Sequence, residues 1–178
     1  PFPEKNGNFL VTVDGAAQPT TFVSKTRWAD AARQAGVGTA WLVLLDADSK
    51  MGNRFEEAKA VATAFANAMG PNDIINVMAF NDKQVVRDSK WLSASKRADV
   101  VTFLQATPVY PSGGRTRPLF NIIRGAVNDG FKSLGNAGSD VKVPLHQALV
   151  VLSTGAAGGD PSSTGPGALT LSQYMTKG

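Results

Sequence analysis

Residues 39–52 read TAWLVLLDADSKMG. After the opening threonine, every residue up to Leu45 is apolar. A strand covered on both faces reads this way, because neither side alternates with polar residues; this is the signature of a parallel sheet. The run then breaks into two aspartates at i, i+2 spacing, Asp46 and Asp48, followed by Ser49, Lys50 and Gly52. In an open α/β sheet, ligands bind beyond the carboxyl ends of the strands, so this loop is the first place to look for function.

On the carboxyl side, NRFEEAKAVATAFANAMG (53–70) places Phe55, Ala58, Ala62, Phe65 and Met69 on one helical face, and Gly70-Pro71 stops the helix. DIINVMAFND (73–82) is a second apolar strand. KQVVRDSKW (83–91) follows too closely for a helical crossover and is expected to pair antiparallel at an edge. SASKRADVVTFLQAT (93–107) is expected to be helical, with Val100, Val101 and Leu104 buried. RPLFNIIRGAVNDGFKSLG (117–135) is a helix with Leu119, Ile122, Ile123, Val127 and Phe131 facing inward. LHQALVVLSTG (145–155) is expected to be a third buried strand, opened by a structural His146. Before the decisive stretch, residues 9–13 and 20–24 flank a turn-rich DGAAQP and predict a hairpin.

The expected architecture is therefore a doubly wound, mostly parallel α/β sheet with one antiparallel edge strand, helices on both faces and an N-terminal β-hairpin. Residues 1–36, the hairpin and a short helix or turn at RWADAARQAG that ends at Gly36, are expected to be an extension, and 37–178 the domain.

Composition narrows the chemistry. The 178 residues suffice for one ordinary domain with a real core. The net charge of +4 is mild, and Lys and Arg are scattered rather than clustered, which argues against a nucleic-acid footprint. There is no cysteine, so disulfides and thiol chemistry are excluded. This leans toward an extracytoplasmic protein, although many cytosolic ones also lack cysteine. The single histidine, His146, rules out multi-histidine metal sites and most Ser-His-Asp schemes. No apolar run reaches the roughly 20 residues of a membrane helix, so direct membrane insertion is not expected. PFPEKNGN at the start lacks the features of a signal peptide.

Four stretches in order resemble a von Willebrand factor A-type domain. WLVLLDADSKMG sits where that family has an apolar strand and Asp-x-Ser-x-Ser-Met. AMGPNDIINVMAFND is similar to its Gly/Pro-Asn-Asp turn and following strand. PSGGRTRPLFNIIRGAV resembles its Gly-Gly-Thr loop opening a helix, and ALVVLSTG its strand ending in Thr-Asp-Gly.

The resemblance implies a metal-ion-dependent adhesion site, which departs from the pattern here. Asp46 and Thr116 match; Asp48 and Lys50 stand at the two serine positions, and Thr154 at the second acidic one. An ammonium at a ligand position repels a cation and offers no lone pair. Lys50 is therefore expected to neutralise Asp46 and Asp48 in place of a metal, so that no cofactor is needed. The opposing expectation is that Asp46, Asp48, Thr116 and Asp160 gather Mg²⁺ or Ca²⁺ while Lys50 turns to solvent.

Strand-Asp-x-Asp is also how haloacid dehalogenase-like phosphatases begin, with Asp46 as nucleophile and Asp48 as acid/base. Against this, Ser-Lys replaces the usual small pair after the second aspartate, no late acidic pair follows residue 155, and the early antiparallel strand does not suit that family. The Arg115 and Arg117 flanks of GGRTRP lack a phosphate-loop pattern. The resemblance favours a non-enzymatic module that binds protein partners through residues 46–53, 111–117 and 154–167. The family carries further strands after the last loop here, so assembly into a larger complex is expected.

Overall fold

The computed structural model describes residues 12–13, 16–17, 36–112, 119–134 and 145–154. Its strands are β1 (Thr12–Val13), β2 (Ala16–Ala17), β3 (Gly38–Asp46), β4 (Ile74–Phe80), β5 (Val85–Asp88), β6 (Leu92–Ser93) and β7 (Leu145–Leu152). Its helices are α1 (Arg54–Asn67), α2 (Arg97–Gln105) and α3 (Leu119–Lys132). The main sheet runs β5-β4-β3-β7, with β6 also pairing β4. β3 lies parallel to both β4 and β7, whereas β5 and β6 pair antiparallel to β4. This is an α/β fold on a mixed, mostly parallel sheet.

Two apolar layers clamp the central strands. Val43, Leu45, Ile75, Val77 and Ala79 face α1 and α2, meeting Phe55, Ala62, Val100 and Leu104. Leu42, Leu44, Ile74, Met78 and Phe80 face the other way, against Ile122, Ile123 and Ala126 of α3. Alternation along β3 and β4 thus serves two hydrophobic faces at once, which is why both strands read as apolar runs, interrupted in β4 only by Asn76.

Several sequence expectations shift in detail. Phe65 is half-buried and packs edge-on to Trp41, with ring centroids 4.9 Å apart, while Ala66 takes the fully buried place on α1. Val101, Val127 and Phe131 are half-buried rather than core. β6 was not expected at all; two residues paired to β4 carry too little pattern to be seen. β7 is not a fully buried strand: it borders β3 alone among the described residues, and Leu149 is 37% exposed. His146, expected to open a buried strand, is exposed. At the start of the chain β1 pairs antiparallel with β2; the expected second hairpin strand at 20–24 and residues 27–35 of the expected short helix or turn lie outside the described residues.

Polar anchors fix the strand ends. Asp73 accepts from the N–H of Gly70 through Oδ2 and from the N–H of Thr39 through Oδ1, both at 2.8 Å, tying the turn before β4 to the start of β3. Trp91 buries its ring while its indole N–H donates to the Gly130 carbonyl and Ser133 Oγ, each at 3.0 Å, which docks α3 on the segment after β5.

Candidate functional site at the carboxyl edge of the sheet

Asp46 is the last residue of β3, and the N–H of Ala47 continues the ladder to the Phe80 carbonyl at 2.8 Å. The Asp46 side chain has no exposed surface. Its Oδ2 accepts from Ser153 Oγ at 2.8 Å, and its Oδ1 accepts from the N–H of Asp48 at 3.2 Å. A desolvated carboxylate needs donors on its oxygens, and here each oxygen has one.

Asp48 is equally buried. Its extended backbone (φ −72°, ψ 142°) and side chain cap a short 3₁₀ turn, Ser49–Met51: Oδ1 accepts from the N–H of Lys50 at 2.7 Å. Short acceptor side chains favour this position because they satisfy an end N–H that the helix cannot. Gly52 closes the turn at φ 53°, a conformation that costs glycine no steric penalty. Asp48 Oδ2 is buried without a hydrogen-bond partner among the described residues.

Tyr110 clasps this loop. Its N–H donates to the Ala47 carbonyl at 2.7 Å, and its carbonyl accepts from the N–H of Ser49 at 2.9 Å, forming a bridge beside Asp48. The N–H of Ser112 then donates to Ser49 Oγ at 3.0 Å, and Ser112 Oγ reaches Asp82 Oδ2 at 3.5 Å. Asp82 is itself buried, in the loop after β4. Segments 46–51, 80–82, 110–112 and 153 are thereby stitched into one edge.

The structure brings Asp46 and Asp48 together as expected from the sequence. Lys50 is exposed, and the bond that joins it to Asp48 runs from its main-chain N–H. Among the described residues the ion pairs are Arg54–Glu57, Lys59–Glu56 and Lys90–Asp88; a Lys50 pair with either aspartate is not one of them. Thr154 is exposed just past β7, and the residue that reaches Asp46 is its neighbour Ser153. Thr116 and Asp160 lie outside the described residues. Ser153, Tyr110, Ser112 and Asp82 were not singled out by sequence. Of these only Ser153 had a legible signal, since it follows an apolar strand at the expected edge.

As a cation site the described donors fall short. No group of three or more His, Asp or Glu residues that would suit a metal exists among the described residues. Asp46 already receives a hydroxyl donor on one oxygen and an N–H on the other, which leaves Asp48 Oδ2 as the spare acceptor of the pair.

The chain matches no family model and no curated protein. No helix among the described residues is long and apolar enough to cross a membrane.

Proposed function

We propose that the chain is a non-enzymatic interaction module of von Willebrand factor A type, which recognises a protein partner through the loops at the carboxyl edge of its sheet, without a metal, as a part of a larger assembly. The strand order supports the likeness: an antiparallel edge strand follows the second parallel strand, and the Asp46 loop sits at the carboxyl edge.

The observation that carries the proposal is the state of Asp46. A nucleophile must offer an oxygen to substrate, and an open metal site must offer one to the ion. Asp46 has no exposed surface; its Oδ2 holds the end of β7 through Ser153, and its Oδ1 holds the N–H of Asp48 in its own loop. It acts as an internal fastener. Among the described residues, the edge presents Ser49, Lys50 and Thr154 outward, polar and exposed. Lys50 adds a positive charge in the middle of the turn that Asp48 caps, where it opposes entry of a cation.

Thermal melts in EDTA, Mg²⁺, Ca²⁺ and Mn²⁺, run beside Lys50→Ser, test this. Binding to the native state raises stability by mass action. The wild-type Tm is expected to ignore all three ions; a response gained by Lys50→Ser would show that the lysine's charge is what closes the site. A wild-type Tm that climbs with millimolar Mg²⁺ or Ca²⁺ overturns metal independence. Hydrolysis of an aryl phosphate that is lost on Asp46→Asn would instead establish the phosphatase alternative.

A further inference from the structure

A second concave surface runs from the carboxyl-edge end of β5 along the groove between β5 and α3. It is a cleft of about 420 Å³, within the range of small-ligand sites. Its floor is apolar: Met78, Val85, Ile122 and Ala126. Three features show that this cleft is built rather than left over.

The first is a β-bulge. Ala79 pairs with Arg87 and Phe80 with Val85, so Val86 is an additional residue in β5. Val86 and Arg87 consequently turn to the α2 side, where Arg87 stacks 4.5 Å over Phe103. Val85 and Asp88, three positions apart, both line the cleft. Strict alternation would have put them on opposite faces; bulges re-aim side chains in this way.

The second is Gly125. It lies in the interior of α3, where glycine is destabilising relative to alanine. Its φ is not positive, and a Cβ built there meets nothing within 4 Å. Packing therefore gives no reason for glycine, in contrast to Gly130, whose Cβ would lie 3.0 Å from Leu42 Cδ2. What the missing side chain does at position 125 is keep the cleft open.

The third is charge. Lys83 stands at the carboxyl-edge end of the cleft, and Asp88 and Asp129 at the other. Asp88 is engaged by Lys90, whereas Lys83 and Asp129 are exposed and form no ion pair among the described residues. From Asn121 to Asp129 the helix rises about 12 Å; on the strand side the bulge shortens Val85–Asp88 to the length of Phe80–Met78, about 7 Å, with Lys83 two residues further on. With Lys83 beyond Val85 at one end and Asp88 and Asp129 at the other, the poles lie on the order of 10 Å apart across the apolar floor.

We infer that this cleft binds a short extended peptide with free termini, about three apolar residues long, its carboxylate at Lys83 and its ammonium at Asp129. An extended chain covers about 3.3–3.6 Å per residue, so three residues match the distance between the poles. The apolar side chains rest on Met78, Val85 and Ile122, over the gap at Gly125. This site shares no residue with the loops proposed to bind a protein partner, and it stands or falls independently of them.

The test is titration of the ¹⁵N-labelled chain with Val-Leu-Val bearing free termini, and with the same peptide acetylated and amidated. Saturable shifts at Lys83, Gln84, Gly125 and Asp129 are expected with the free peptide, and affinity weaker by about tenfold or more with the blocked one. Gly125→Leu should abolish binding while Tm holds or rises. Asp129→Lys, on the exposed rim, should weaken binding with the fold intact. Absence of saturable shifts at millimolar peptide overturns the inference. So does equal binding of the blocked peptide, or undiminished binding by Gly125→Leu or Asp129→Lys.

Discussion

The Ser153 hydroxyl donates to Asp46 Oδ2 at 2.8 Å, joining the ends of two parallel strands across 107 positions of sequence. A hydrogen bond to a charged group contributes about 1.5–3 kcal/mol, and its loss here strips a donor from a buried carboxylate. Ser153→Ala is therefore expected to lower unfolding free energy by about 1.5–3 kcal/mol in urea, with an unchanged m-value. A loss within about 0.5 kcal/mol, typical of surface substitutions, would mean that the bond holds nothing together.

Asn76 tests the opposite case, a buried polar group that the core does not need. It is fully buried in β4, and its Nδ2 has no hydrogen-bond partner among the described residues. Its Oδ1 accepts from Ser89 Oγ at 3.3 Å, but that hydroxyl also lies 2.9 Å from the Lys90 carbonyl. Asn76→Val removes the unsatisfied amide without stranding Ser89. Stability is expected to rise by about 1 kcal/mol, because an unmet buried amide costs about 1–3 kcal/mol. A fall in the urea midpoint would show that Asn76 has a partner worth keeping.

The two glycines of α3 should respond in opposite directions. Gly125→Ala meets open space and gains helix propensity, so stability should rise by about 0.5–1 kcal/mol. Gly130→Ala drives a Cβ to 3.0 and 3.2 Å from the two Leu42 methyls, so a loss of about 1–3 kcal/mol is expected. Thermal melts of the pair side by side decide the matter; the same sign for both would contradict the packing described.

Trp91 makes its contribution through both ring and N–H. Trp91→Phe keeps an aromatic ring near Phe131, whose centroid lies 5.9 Å away, but deletes the donor to Gly130 and Ser133. A loss of about 1–2 kcal/mol is expected on chemical denaturation, since the Gly130 carbonyl still receives Ser133 Oγ at 2.6 Å. A neutral substitution would assign the anchor to the ring alone.

The order and type of the central elements were legible because they rest on periodicity. The apolar runs of β3 and β4 need two covering layers, and the short link at 81–84 allows only an antiparallel partner. Position within the sheet was not legible. Nothing in LHQALVVL distinguishes a central strand from one that borders a single neighbour, so β7 was expected to be buried and Leu149 is not. Asp46 and Asp48 stood out by composition, yet their partner did not. The ladder pairs Leu45 with Leu152, so the next step sets Ser153 beside Asp46. That register depends on three-dimensional pairing, and a motif match drew attention to Thr154 instead. Tyr110 was invisible for a related reason: it holds the loop through main-chain bonds, while its side chain packs against the core like any other half-buried aromatic.

The clasp at the carboxyl edge also has a consequence in time. Its bonds join Ser112 to Ser49, 63 positions apart, and Ser153 to Asp46, 107 apart. Closing such long loops is entropically costly and slow compared with winding a helix. During synthesis, Asp46 cannot complete its bonds until residue 153 has emerged. The edge is thus expected to be among the last parts of the molecule to become native, and among the first to exchange its amide protons when the native state opens.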